Sequence, residues 1–130
     1  MSNLYAFLHP EMPEQKEIVL PRFKDESGNV VPFVIKPITS EVNKTLINAC
    51  TKKDRSGKKS LDTSRYQTKI IVAGTVVPDF TSSELCDGYG TMDPEQVVER
   101  MLLAGEYALL SDEILKLSGL DDEAEEEAKN

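Results

Sequence analysis

Apolar positions fall into two patterns along this chain. Before Thr39 they gather in short β-branched and aromatic runs, from Glu17 to Phe23 and from Val30 to Ile35, and after it they recur at helical spacing. Lys24-Asp25-Glu26-Ser27-Gly28-Asn29 lies between the runs, and Gly28 and Asn29 tolerate the positive φ of a turn, so the pair predicts a β-hairpin. Pro21 and Pro32 each lack a ladder donor and belong at edges or bulges, which keeps the sheet small.

Thr39, Ser40 and Glu41 supply a cap and an acidic first turn for a helix from Ser40 to about Thr51, with Val42, Leu46, Ala49 and Cys50 on its apolar face. The next apolar run, Asp62 to Val77, is ambiguous. Its isoleucines and valines suit a strand, but Tyr66, Ile70, Ala73 and Val77 keep helical spacing, and the pattern predicts a helix running up to Pro78. Thr81-Ser82-Ser83-Glu84 reads as a capping box opening a short helix that Gly88 and Gly90 end. Asp93-Pro94-Glu95-Gln96 opens another, with Asp93 as cap, Gln96 closing the box, and Val97, Val98, Met101 and Leu102 buried. Ala104-Gly105 interrupts, and a last helix runs from Glu106 to Ser118 with Leu103, Tyr107, Leu110, Ile114 and Leu117 on one stripe and Gly119 at its C-terminal turn. The expected fold is α+β: an N-terminal β-hairpin or small antiparallel sheet followed by four to five α-helices.

Three stretches fall outside this plan. Residues 1–15 carry Leu4, Tyr5, Phe7 and Leu8 and then Pro10 and Pro13, which predicts an arm that docks by its apolar side chains rather than a sustained element. Residues 52–59, "KKDRSGKK", hold five positive residues and no apolar one and read as a basic flexible connector. Residues 121–130 carry six acids and one lysine, a block that repels itself and is expected to be disordered. The single α+β domain is thus placed at 16–120.

Composition narrows the function. The net charge of −8 and pI near 4.7 argue against general nucleic-acid binding, which relies on clustered cations releasing counterions from phosphate. Cys50 and Cys86 are too few and too isolated for a disulfide framework and point to a reducing cytoplasm. No apolar run approaches the roughly 20 residues a bilayer span needs, so membrane roles drop out of the expectation.

Candidate chemistry is sparse. "DGYGTMDPEQ" places two glycines ahead of a helix start, but a dinucleotide fingerprint wants a third glycine where Asp93 stands, and Asp93 and Glu95 would repel a phosphate; the stretch reads as a turn. "SGKKS" resembles a phosphate loop only superficially, because Lys59 follows Lys58 where Ser or Thr is needed. His9 is the only histidine, neither cysteine has a second ligand at metal spacing, and no two carboxylates are singled out. We therefore expect no enzyme, catalytic residue, metal or cofactor. Two partner-binding candidates remain. Leu109 points between Glu113 and Lys116, away from the apolar stripe, and Lys52, Lys53, Arg55, Lys58 and Lys59 offer a salt-sensitive electrostatic contact with an acidic partner or with the chain's own tail.

"PRFKDESGNVVPFVIKPIT", "ACTKK", "YQTKIIVAGTVVPDF" and "ELCDGYGTMDPEQVVERMLLAGEYALLSDEI" together resemble the phage XkdN-like tail assembly chaperones, over Ile18 to about Leu120. The most specific parts are Pro78-Asp79-Phe80, the Tyr89-Gly90 turn with Asp93-Pro94-Glu95, and Met101-Leu102 leading to Gly105-Glu106-Tyr107. The resemblance implies a non-catalytic protein of the bacterial cytoplasm, encoded by a phage or prophage. It would bind the tape-measure protein, assist assembly of the tail tube protein around it, and be absent from the mature virion. The alternative is a structural minor tail component retained in the virion. The family has no catalytic motif to transfer.

Overall fold

A computed structural model describes residues 3–120. The residues 121–130 for which an acidic, disordered tail is expected lie outside the described residues. The expected hairpin forms, but its ladder is short: β1 (Lys16–Ile18) pairs antiparallel with β2 (Phe33–Ile35), Lys16 opposite Ile35 and Ile18 opposite Phe33. Between them the chain is tied by one bridge, Lys24 to Val30, and by a turn in which the Asp25 carboxylate accepts from Ser27 N–H and Asn29 N–H, with Gly28 at φ 86°. Pro21 and Pro32 stand outside the strands, as their missing donors require.

α2 (Ser40–Ala49) follows, capped by Thr39, whose hydroxyl accepts from Val42 N–H. Val42 on its expected apolar face is exposed and Leu46 half-buried, while Cys50 just past its end is buried. The basic connector expected at 52–59 is instead a second hairpin: β3 (Thr51–Lys53) pairs antiparallel with β4 (Lys59–Leu61). Its turn repeats the first one. Asp54 accepts from Ser56 N–H and Lys58 N–H, Ser56 Oγ donates to the same oxygen, and Gly57 takes φ 85°. Asp62 N–H donates to Cys50 O at 2.8 Å, closing the base.

α3 (Thr63–Gly74) starts on an Asp62 cap and stops before the predicted end at Pro78. Thr75 to Val77 form β5, which pairs with β2 and makes the sheet order β1-β2-β5, antiparallel throughout. The reason lies in two partners remote in sequence. Gly74 lets α6 come so close that an added Cβ would sit 2.5 Å from Ile114 Cγ2, and β2 offers a free edge to three β-branched residues.

Three helices complete the described residues. α4 (Ser83–Gly88) is capped by Ser82, not Thr81; the Thr81 hydroxyl is taken by Asp79 at 2.6 Å, so the capping box does not form. α5 (Pro94–Met101) starts on Asp93 with Pro94 in its first turn, as expected, but Gln96 Oε1 accepts from Thr91 Oγ1 instead of closing the box. α6 (Ala104–Leu117) includes Ala104 and Gly105, so the break falls one step earlier. Leu103, placed by its spacing on the buried stripe, is the exposed cap position, and Glu106 reaches back to its N–H at 2.8 Å.

The core joins the inner face of the sheet, through Ile18, Phe33 and Ile35, to Ile70 and Ile71 of α3, Val97 and Val98 of α5, and Leu110 and Ile114 of α6. The N-terminal arm takes no part in it. Leu4–Leu8 form one helical turn, α1, with Tyr5, Phe7 and Leu8 well exposed and none of its residues buried, so the arm does not dock as expected. A single turn followed by Pro10 and Pro13 has too few internal bonds to present a stable apolar face.

Candidate binding surface

Where β5 ends and α4 begins, the fold leaves an apolar groove of about 290 Å³. Phe23, Val31, Pro32 and Phe33 of the first hairpin form one wall, Val77 and Pro78 a second, and Leu85, Tyr89 and Met101 the rest, with Lys24 on the rim. Pro78, Leu85 and Tyr89 are shared with an open trough of about 660 Å³ that continues past Asp79, Ser82, Glu84 and Gly88. The two make one surface, lined largely by apolar side chains and carrying Lys24, Asp79 and Glu84 among its charged residues.

Each wall is fixed from behind. Arg22 donates through Nη2 to Met101 O at 2.7 Å and pairs with both oxygens of Glu106, at 2.5 and 3.2 Å, pinning the first hairpin to the α5–α6 junction. Its guanidinium lies 4.7 Å from the centre of the Phe23 ring, which meets Phe33 edge-on at 4.8 Å. Arg100 Nη1 donates to Tyr89 O at 2.7 Å, and Gly90 at φ 68° turns the chain away behind it. The hydrogen bond from Arg22 holds the Glu106 carboxyl below the usual carboxylate range, and those from the Thr81 hydroxyl and N–H do the same for Asp79 at the trough mouth.

The arrangement can desolvate a few apolar side chains of a partner. Among the described residues no group of three or more His, Cys, Asp or Glu side chains gathers to hold a metal, and no helix is long and apolar enough to cross a membrane. "DGYGTMDPEQ" folds as the turn it suggested, and Asp93 fills the start of α5 by accepting from Glu95 N–H at 3.0 Å.

None of the partner-binding candidates read from the sequence lines this groove. Leu109 lies on α6, 40% exposed, and Lys52, Lys53, Arg55, Lys58 and Lys59 are all on the second hairpin, where Lys52 pairs with Asp62 at 3.2 Å. What was missed had one available signal. Val31-Pro32 and Val77-Pro78 each set a β-branched residue beside a proline that ends the ladder, and Val31 and Val77 both stay about 40% exposed (42% and 41%) on the groove wall. Of the residues most specific to the family resemblance, Pro78, Asp79, Tyr89 and Met101 line this surface and the others do not.

The family model for phage XkdN-like tail assembly chaperone proteins matches residues 4–129. The phage-like element PBSX protein XkdN of Bacillus subtilis (strain 168) is 38% identical over 142 residues, covering 98% of this chain and 94% of its own. The uncharacterized protein YqbN of the same strain is also 38% identical, over 98% and 93%. The crystal structure of YqbN superposes with a TM-score of 0.73 at 33% identity, over 93% of this chain and 99% of that one.

Proposed function

Since the chain belongs to the phage XkdN-like tail assembly chaperone family, we propose that it binds the tape-measure protein through the groove between the first hairpin, Pro78 and Tyr89, without catalysis. The groove carries the reading. Apolar and walled by pinned elements, it suits the apolar face of a helical segment, and recognition of that kind needs a preformed trough with anchors at helical spacing. Lys24 in the groove and Asp79 and Glu84 in the trough would orient the segment by charge, and the net charge of −8 would keep the complex soluble. By this reading the protein acts in the host cytoplasm, releases its client as tail tube subunits gather, and is absent from the finished particle.

The test is co-expression with a tape-measure protein encoded by the same phage or prophage. The large protein should become soluble and co-purify with the wild-type chain, and Val31→Asp, on the exposed wall, should lose it while melting at the wild-type temperature. A tape-measure protein equally soluble alone, with no complex, would remove the proposal. Mass spectrometry of purified particles then separates a chaperone from a retained tail component, since only the latter is found there.

A further inference from the structure

The N-terminal arm carries a concentrated apolar surface that the core does not use. Leu4, Tyr5, Phe7, Leu8 and Met12 are 58% to 79% exposed, and a run of large apolar side chains that dense marks a contact rather than ordinary surface scatter. Tyr5 stacks on His9 with ring centres 4.3 Å apart, while Leu4, Phe7 and Leu8 stand three and four positions apart on one side of α1. That is the anchor spacing an apolar groove reads in a helical ligand. A single turn is marginal alone, so a groove around it would supply the stability its few internal bonds lack.

The same molecule offers such a groove, walled by Phe23, Phe33, Val77 and Tyr89 and carrying Lys24. The arm's charge complements that lysine: Glu11 and Glu14, both exposed, flank Met12 just after the anchors. Geometry directs the arm to another copy rather than to its own groove. β1 enters the sheet at Lys16, which lies opposite Ile35 and is ion-paired with Glu113 at 2.7 Å, whereas the groove is lined by Phe33 and Val31 toward the other end of the hairpin. The arm thus leaves the ladder at the end away from the groove. Between Leu8 and Lys16 there is no helix or strand, and Pro10 and Pro13 favour extended backbone there, so the link is a spacer that spans about 23 Å.

We infer, resting on the groove of the reading above, that α1 of one copy occupies the groove of a second copy, reciprocally, and that a client displaces it. With on the order of 100 Å² covered on each of the five large side chains and a matching area on the groove, the exchanged pair buries about 2,000 Å² in all, the size of a specific, stable interface. The free protein is then a closed pair with both apolar surfaces covered. Capture of a client competes with self-association, and the groove opens only when something replaces the arm.

The test uses the full chain and two exposed substitutions, Phe7→Asp in the arm and Val31→Asp in the groove. In sedimentation equilibrium from about 1 to 300 µM the wild type should reach the mass of two copies, and each substitution should raise the dissociation constant about tenfold or more with an unchanged far-ultraviolet spectrum. Mixing the two variants should restore part of the association, because one brings an intact groove and the other an intact arm. A spin label on Ala6→Cys, selective because Cys50 and Cys86 are buried, should broaden the amides of Val31, Val77 and Tyr89 in an isotope-labelled chain that carries no spin label. A wild type that stays a single copy, a pair that neither substitution weakens, or broadening confined to the spin-labelled molecule itself would overturn the inference. Phe7→Asp should capture as much tape-measure protein as the wild type or more; less capture would make the arm part of the client site and overturn the competition. A wild type that pairs through its arm yet captures no client sinks the groove's assigned client and leaves the exchange standing.

Discussion

The two hairpins of this protein share a turn and differ in everything around it. Asp25-Glu26-Ser27-Gly28-Asn29 and Asp54-Arg55-Ser56-Gly57-Lys58 use the same device, an aspartate oxygen gathering the following amides and a glycine at φ near 85°. The first is flanked by Phe23 and Phe33, which carry it into the core and make it a wall of the apolar groove. The second is flanked by lysines and stays exposed at every position. The same turn thus leads into a packed apolar wall in one place and an exposed charged ladder in another, because the turn sets only the reversal of the chain, and burial sets the rest.

That contrast can be broken most severely from the core side. Phe80, fully buried beneath the trough and accepting from Cys86 Sγ through its carbonyl, should cost about 3–5 kcal/mol when changed to Ala, read as a lower urea midpoint together with loss of client binding. Gly74→Ala should follow at about 1–3 kcal/mol, because its Cβ would meet Ile114 Cγ2 at 2.5 Å and force α3 and α6 apart. Changing the groove without the core should separate binding from folding: Val31→Asp is expected to weaken client capture about tenfold or more with stability within about 0.5 kcal/mol. Leu109→Asp, outside the groove, should leave both nearly unchanged; loss of capture there would move the interface to α6.

A smaller effect concerns pH. The Glu106 pKa lies below its ordinary value through the Arg22 hydrogen bond, so its contribution is fully present above the ordinary carboxylate range and is lost as pH falls through the lowered folded value. Glu106→Gln should flatten that acid limb in thermal melts taken from neutral to acid pH, while a curve as steep as the wild type would show that other carboxylates dominate. The smallest expected change is on the second hairpin. Lys59→Thr should stabilise β3–β4 by a few tenths of a kcal/mol by removing the like-charge pair with Lys53, visible as slower amide exchange at Thr51 to Leu61 and scarcely in the global melt.

Much of the helical half of the fold was legible because local chemistry fixes it. Thr39, Asp93 and the apolar faces of α5 and α6 announce their helices through caps and spacing that act within one or two turns. The same local rules misplace Thr81 and Leu103, since a hydroxyl next to Asp79 has a nearer acceptor and a leucine at a cap position faces water however well it fits a stripe. The second hairpin was also within reach, through its repeated Asp-x-Ser-Gly, but five cations without an apolar neighbour read as a solvated loop.

The α+β class, the turns, most helix starts and the family resemblance could be read from the residues alone, because caps, turn glycines and periodicity are short-range properties of the chain. That Thr75 to Val77 leave their helix for the edge of β2 follows from packing, because the outcome rests on Gly74 meeting Ile114 forty residues away. Packing likewise decided that Phe23, Val31, Val77, Tyr89 and Met101 share one groove. Those residues come from four separate stretches, and nothing short of packing the core places them together.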